Sequence, residues 1–439
     1  MSRQASRFVP EPFVLAGGLT LVVFVVGLLV VPESNDSAFA LVTEGWLTGL
    51  ANKGGLAFAL QMCLVLVTGH ALALSPTVQR AVVWMSRLVR GPRSASALVA
   101  LVSCGFALVH WGLGAIVGAF LARDIARHAE KSVFTVHYAC LGAAAYSGFA
   151  LWHGGFSGSA PLKVAEGAHS LIGVLPLSQT LLSPLNLVVS GGLLLLVPAL
   201  YIAMTPRAAT APATAPAPAT ATAPATAPAT ATVTATASAL AKWLTRLAAI
   251  AALAIVAWTV RTGRTGLDIN TVNLVFLFVG LFFWAEPAGY MAAVADGARA
   301  AGAIVIQFPL YFGILGIMKA SGLIVLISDA IIGLAGTTLF PLVAFLSAGL
   351  VNFAIPSGGG QWAVQADILL QAGQKLGVDP ATTVMAFSYG DAWTNLLQPF
   401  WALPLLGIMG LRAKDIIGYT AIIFVAMGLY VGTVLIVVG

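Results

Sequence analysis

Asp391 lies inside an apolar run together with Tyr389, Asn395 and Gln398. An acid at membrane depth costs at least ~2.5–3.5 kcal/mol on insertion scales, so a carboxyl group there points to work: taking a proton or helping to hold a cation. Asn395 sits at i+4 from Asp391 and shares its helix face. Gln398, about two turns on at 3.6 residues per turn, extends the same polar stripe. A second kind of chemistry is offered by Ile355-Pro356-Ser357-Gly358-Gly359-Gly360-Gln361-Trp362. Pro, Ser and three Gly break a helix, and Gly admits the backbone turns that gather N–H groups around one point. A helix restarting at Gln361-Trp362 adds its positive end, and the natural ligand of such a place is an anion, especially a carboxylate.

A matching break occurs in the first half, Trp152-His153-Gly154-Gly155-Phe156-Ser157-Gly158-Ser159, with two hydroxyls, Ser157 and Ser159, that suit a carboxylate or Na⁺. Non-helical backbone at bilayer depth survives only where protein buries it or a polar cavity needs it. Interrupted apolar segments in corresponding halves are the best sequence pointer to a carrier's binding site. Of the histidines in apolar segments, His110 and His153 stand at breaks, whereas His70 does not. Gln61 and Gln307 are candidates to face the site, and Asn352 precedes the second break. No basic side chain falls at either break, which disfavours a dicarboxylate.

The elements that must position these groups are helices of membrane length. The chain has 439 residues, 59% apolar and 8% charged, with a mean hydropathy of +0.96. Soluble domains carry about 25% charged residues, so the reading is an all-α polytopic membrane protein. The net charge of +6 reflects arginines between spans, where the positive-inside rule puts them, and implies no nucleic-acid partner. About nine full spans are expected near 13–31, 55–75, 134–152, 183–204, 245–260, 269–285, 299–318, 381–400 and 416–438, with 322–337 a possible half-span. The first is read as uncleaved, with a cytoplasmic N-terminus. The run 94–122 is flanked by basic residues at both ends and holds 29 residues. One helix of that length would reach ~43 Å, beyond the ~30 Å core, so a re-entrant hairpin turning at His110-Trp111-Gly112-Leu113-Gly114 is expected. A second hairpin is expected near 340–364.

Residues 207–240, nearly all Ala, Thr and Pro, read as a disordered linker between a first membrane repeat, 1–206, and a second, 241–439. Asp124 and Asp367, Tyr146 and Tyr389, and Pro161 and Pro404 share an offset of 243 residues. The span at 245–260 inverts the second half relative to the first, giving inverted repeats. Cys63, Cys104 and Cys140 are too far apart for a metal motif, and no metal or cofactor is implied. H-E-x-x-H, G-x-S-x-G and a Walker lysine are all missing, so neither an enzyme nor an ATP-driven pump is indicated.

At these residues the chain resembles the short-chain fatty acid transporter family, of the bacterial acetoacetate/butyrate carrier type. The resemblance is carried by Val67-Thr68-Gly69-His70-Ala71-Leu72-Ala73, by Trp111-Gly112-Leu113-Gly114, and by Gly154 through Leu162. Asn270 through Leu274, Asn352 through Gly360, and Tyr389-Gly390-Asp391-Ala392-Trp393 through Pro404 carry it further. It implies inner-membrane uptake of short monocarboxylates by H⁺ or Na⁺ symport, and inverted repeats each with a re-entrant hairpin. An ion antiporter or another organic-anion carrier is the alternative on the same architecture, and a homo-oligomer is compatible with it. The family's pattern has Asn where His110 stands, Gly where His153 stands, and often Glu where Asp391 stands. On this reading the substrate carboxylate meets Trp111, Gly112, Gly114, Gly155, Ser157, Ser159, Asn352, Ser357, Gly358, Gly359, Gly360 and Gln361. The alkyl tail lies on Trp152, Phe156, Trp362 or Trp393. Asp391 couples the ion, with Tyr389, Asn395, His110 and His153 around it.

Overall fold

The computed structural model describes residues 12–31, 37–130, 134–166, 171–206, 239–353 and 355–438. The expected linker lies outside them, apart from its last two residues, which open a helix. All regular structure among the described residues is helical.

Helices α1 (Pro12–Val30), α2 (Ala38–Leu50) and α3 (Lys53–Ala73) are followed by the short α4 (Pro76–Ser86). Then come α5 (Pro92–Val109), α6 (Trp111–Glu130) and α7 (Tyr138–Tyr146), two 3₁₀ turns (Ser147–Ala150 and Trp152–Gly154), α8 (Ser159–Glu166) and α9 (Pro184–Met204). The second half runs α10 (Ala239–Arg261), α11 (Ile269–Trp284), α12 (Pro287–Ala320), α13 (Leu323–Leu334), α14 (Phe340–Asn352) and α15 (Gly358–Lys375), and ends with α16 (Pro380–Asn395), α17 (Pro399–Met409) and α18 (Ala413–Val437). Starts are written in the sequence. Ser75, Ser183 and Asp379 each accept a backbone N–H of the following turn and precede a proline at the first helical position, where the missing donor costs nothing.

Five of these helices are long and apolar enough to cross a membrane, namely α3, α5, α9, α10 and α18, and α12 makes a sixth if its two bent arms form one span. The chain is a multi-pass membrane protein. Two runs expected as single spans do not continue as helices. The run 134–152 leaves the α-helix after Tyr146, and the run 381–400 leaves it after Asn395. Just past the first departure, Gly148 packs against Ser103 more closely than a Cβ would allow. Helix α10 exposes Leu240, Trp243 and Ile255, a surface suited to lipid.

Two packed groups emerge. Helix α12 lies against α1, α2 and α3, and α11 joins α3 to α10. The other group holds α5 to α9 and α14 to α18, with α7 and α16 buried at its centre. Within it, α5 and α6 form a pair that reverses at His110, whose backbone is extended. Ser103 of α5 hydrogen-bonds the Gly114 carbonyl of α6 at 3.2 Å. Gly114 lets the two helices touch backbone to backbone, and Gly118 brings α6 close to Ala145 of α7. Helices α14 and α15 pair likewise, tied by Gln361 Nε2 donating to the Ala348 carbonyl at 2.7 Å and Gln365 Nε2 donating to Ser347 Oγ at 2.8 Å.

Candidate functional site

Four helix starts converge between the breaks. Ser157 Oγ accepts the first amide of α6, Trp111 N–H, at 2.9 Å. His153 Nε2 accepts Ala160 N–H at the start of α8, at 3.2 Å. At the start of α15, Gly358 is so close to Trp152, His153 and Ser159 that a Cβ there would lie 2.6, 2.9 and 3.1 Å from them. Near the start of α17, Trp401 Nε1 donates to the Pro356 carbonyl at 3.0 Å. Each start carries roughly half a positive charge, so together they favour an anion.

The glycine run is not open chain. Helix α15 begins at Gly358, three residues before the expected restart at Gln361, and Ser357 caps it by accepting Gly360 N–H at 3.3 Å. Among the described residues between α14 and α15, 353 and 355–357 are non-helical. The glycines serve close approach: Gly359 faces the rings of Phe308 and Phe58, and Gly360 faces Tyr311.

Asp391 and His153 are both fully buried and bonded, Nδ1 to Oδ2, at 2.9 Å. Because Nε2 of His153 accepts Ala160 N–H, the hydrogen-bond network assigns the imidazole proton to Nδ1, which donates to the carboxylate. The other carboxylate oxygen, Oδ1, is buried without a hydrogen-bond partner among the described residues, as are Ser159 Oγ, Trp152 Nε1 and Tyr311 OH. Buried polar atoms nearly always have partners, so this concentration beside Gly358–Gly360 marks the place as a polar site. Its apolar wall is Trp152 stacked on His153, ring centroids 4.3 Å apart, with Phe387 edge-on to His153 and to Trp362.

Other expected residues support this centre rather than line it. His110 is buried and caps α6, accepting Gly112 N–H at 3.0 Å on Nδ1 and donating from Nε2 to the Val65 carbonyl at 2.5 Å. Gly155 presses on Leu108, and the neighbouring Phe156 N–H bonds the Leu108 carbonyl at 2.7 Å; the Phe156 side chain itself is 41% exposed. Asn352 ties α14 to α16, donating to the Asp391 carbonyl, Thr394 Oγ1 and Asn395 Oδ1 at 2.8–2.9 Å. Tyr389 bonds Asn186, which in turn donates to the Gly154 carbonyl. Trp393 is not brought to the centre: its indole stacks between Phe345 and Phe424 and donates to the Phe424 carbonyl at 2.7 Å.

Three contributions escaped the sequence. Tyr146 caps the junction of α16 and α17, donating to the Asn395 and Gln398 carbonyls at 2.7 and 2.8 Å. Tyr311 flanks Gly360. A basic side chain does stand beside the first break: Lys163 lies on α8, one turn from Ser159, paired with Glu166 at 2.7 Å. The i, i+3 spacing of two charges in an apolar stretch was the available signal.

A family model described as short chain fatty acid transporter matches residues 1–438. An Escherichia coli (strain K12) protein described as a candidate short-chain fatty acid transporter is 36% identical over 441 residues, covering 99% of this chain and 98% of the relative. A Haemophilus influenzae protein of the same description is 34% identical over 449 residues, covering 98% of both. Among solved structures, that of the Alcanivorax borkumensis YdaH transporter, described as having an unusual topology, matches with a TM-score of 0.55 at 13% identity over 97% of this chain and 98% of that one. That likeness is one of fold.

Proposed function

The chain belongs to the short chain fatty acid transporter family, a family of carriers rather than enzymes, and on that premise we propose that it takes up short monocarboxylates such as butyrate or acetoacetate across the inner membrane, driven by H⁺ or Na⁺ symport. The carrying observation is the convergence of helix starts at Gly358 beside the buried Asp391–His153 pair. The carboxylate binds at the start of α15 with Ser159 and Ser357, and the short tail lies on Trp152 and Trp362. Asp391 takes the coupling ion on the oxygen that His153 leaves uncovered, so that the loaded carboxyl no longer repels the substrate anion.

Two inverted repeats, each a re-entrant hairpin followed by a broken helix, give the alternating movement. Tyr146 and Tyr389, one offset apart, support this pairing. Each reaches a helix interruption of the other half, Tyr146 the α16–α17 junction directly and Tyr389 the Trp152–Ser159 break through Asn186. An antiporter is disfavoured because two further acids that could serve one are engaged: Asp329 pairs with Lys375 at 2.6 Å and Asp367 with Lys319 at 2.8 Å.

The test is radiolabelled butyrate uptake into proteoliposomes under separately imposed H⁺ and Na⁺ gradients. Accumulation under one of them is expected; none under either refutes the reading. Ser357→Val removes the cap of α15 and a hydroxyl from the site, and caps of this kind are worth ~1 kcal/mol. Butyrate affinity should fall about fivefold with the protein still inserted, and an unchanged affinity removes Ser357 from the site.

A further inference from the structure

A polar cluster outside the central site crosses the seam between the two packed groups. On α8, Lys163 Nζ bonds Glu166 Oε2 at 2.7 Å. An exposed i, i+3 pair alone carries little energy. Here, however, the other oxygen, Oε1, accepts Gln61 Nε2 of α3 at 2.6 Å and Asn270 Nδ2 of α11 at 3.0 Å. Gln61 is itself held, its backbone carbonyl accepting Asn273 Nδ2 at 3.0 Å and its Nε2 also reaching Asn270 Oδ1 at 2.9 Å. Three donors from three helices thus surround one carboxylate, a charge-assisted set that would serve a free carboxylate ligand equally well.

The cradle also connects to the centre. Lys163 Nζ sits 5.1 Å from the centroid of the Phe58 ring, and the same ring lies where a Cβ on Gly359 would be 3.2 Å away. The Lys163 and Glu166 side chains remain 30% and 22% exposed, so the cradle is not sealed from the surface of the molecule.

We infer that Glu166 stands in for the substrate carboxylate: it closes the seam between α8 and the α3–α11 pair, and an arriving monocarboxylate replaces it on Lys163, Gln61 and Asn270 before moving to the start of α15. The inference rests on the monocarboxylate reading above. Displacement frees Glu166 from α3 and α11, and the seam opens as the substrate arrives.

Butyrate uptake kinetics in proteoliposomes test it, beginning with the unaltered protein. Absence of uptake there indicts the monocarboxylate reading; with uptake established, the variants bear on the role of Glu166 alone. Glu166→Gln keeps the shape and removes the competing charge, so KM should fall about fivefold with the maximal rate within about twofold, the scale of a partly exposed charge-assisted contact. Glu166→Asp, which restores the competing charge, should return KM toward the original value. Lys163→Met, which removes the charged donor, should raise KM about tenfold and serves as the second variant if Glu166→Gln fails to fold. An unchanged KM in either variant overturns the inference, because a merely structural ion pair would alter yield and maximal rate instead.

Discussion

Asp391→Asn is expected to abolish gradient-driven accumulation of butyrate, by at least about tenfold, while butyrate counterflow across the same vesicles persists. The substitution is nearly isosteric. The side-chain oxygen of Asn still accepts the Nδ1 proton of His153 at the 2.9 Å geometry seen here, so the packing of α16 against the first break is retained. What is lost is the charge. A fully buried carboxylate is costly in a membrane interior, and that cost is relieved each time a proton or cation joins it. In the proposed cycle this relief ties substrate movement to ion movement. An amide has no charge to relieve, so the carrier cycles without drawing on the gradient. Counterflow needs no net ion movement and therefore continues. Paired measurements of accumulation and counterflow in one preparation separate this outcome from simple misfolding, which removes both. Accumulation at the original level in Asp391→Asn would take Asp391 out of the coupling step.

The breaks around Ser157 and Ser357 were legible because Ser and consecutive Gly, joined by Pro at the second, disfavour the interior of a helix in an apolar stretch. Asp391 was legible because charge in such a stretch is rare. The partner of Asp391 was not. His153 lies 238 residues away, and local pattern carries no register between segments so distant. The direction of a side chain around a helix was equally hidden. Trp393 shares α16 with Asp391, yet it leaves the centre to stack on Phe424, where Gly349 and Gly428 clear room for its ring. His110 at a break looked like coupling chemistry, but both its nitrogens are spent on backbone, one at the start of α6 and one on α3. Histidine can mimic the Asn or Ser of an N-cap when its Nδ1 faces the helix, and sequence alone does not say which way that ring turns. The glycines carried the right location with the wrong local structure. Three glycines after a Ser cap are tolerable in a first helical turn, where close approach outweighs their entropic cost.

That close approach sets the last expectation, a contrast between neighbours. Gly358→Ala should lower butyrate uptake about tenfold or more, and Gly359→Ala should change it by less than about threefold. A methyl on Gly358 would lie 2.6 Å from Trp152 Cη2 and 2.9 Å from His153 Cε1, closer than real Cβ contacts come. Neither ring can yield cheaply. Trp152 stacks on His153, and His153 is pinned from both nitrogens by Asp391 and Ala160 N–H. The displacement would therefore pass straight into the Asp391–His153 pair and push α15 away from α8, spreading the helix starts proposed to hold the carboxylate. Overpacking of this kind costs typically about 1–3 kcal/mol, and a misplaced group near the centre costs more in rate than in stability. On Gly359 the nearest atoms are ring edges of Phe308 and Phe58 at 3.1–3.2 Å, which need to move by only a few tenths of an ångström. Uptake rates normalised to reconstituted protein decide the matter. Equal effects at the two positions would mean that the start of α15 only packs helices and that the substrate anion is held elsewhere.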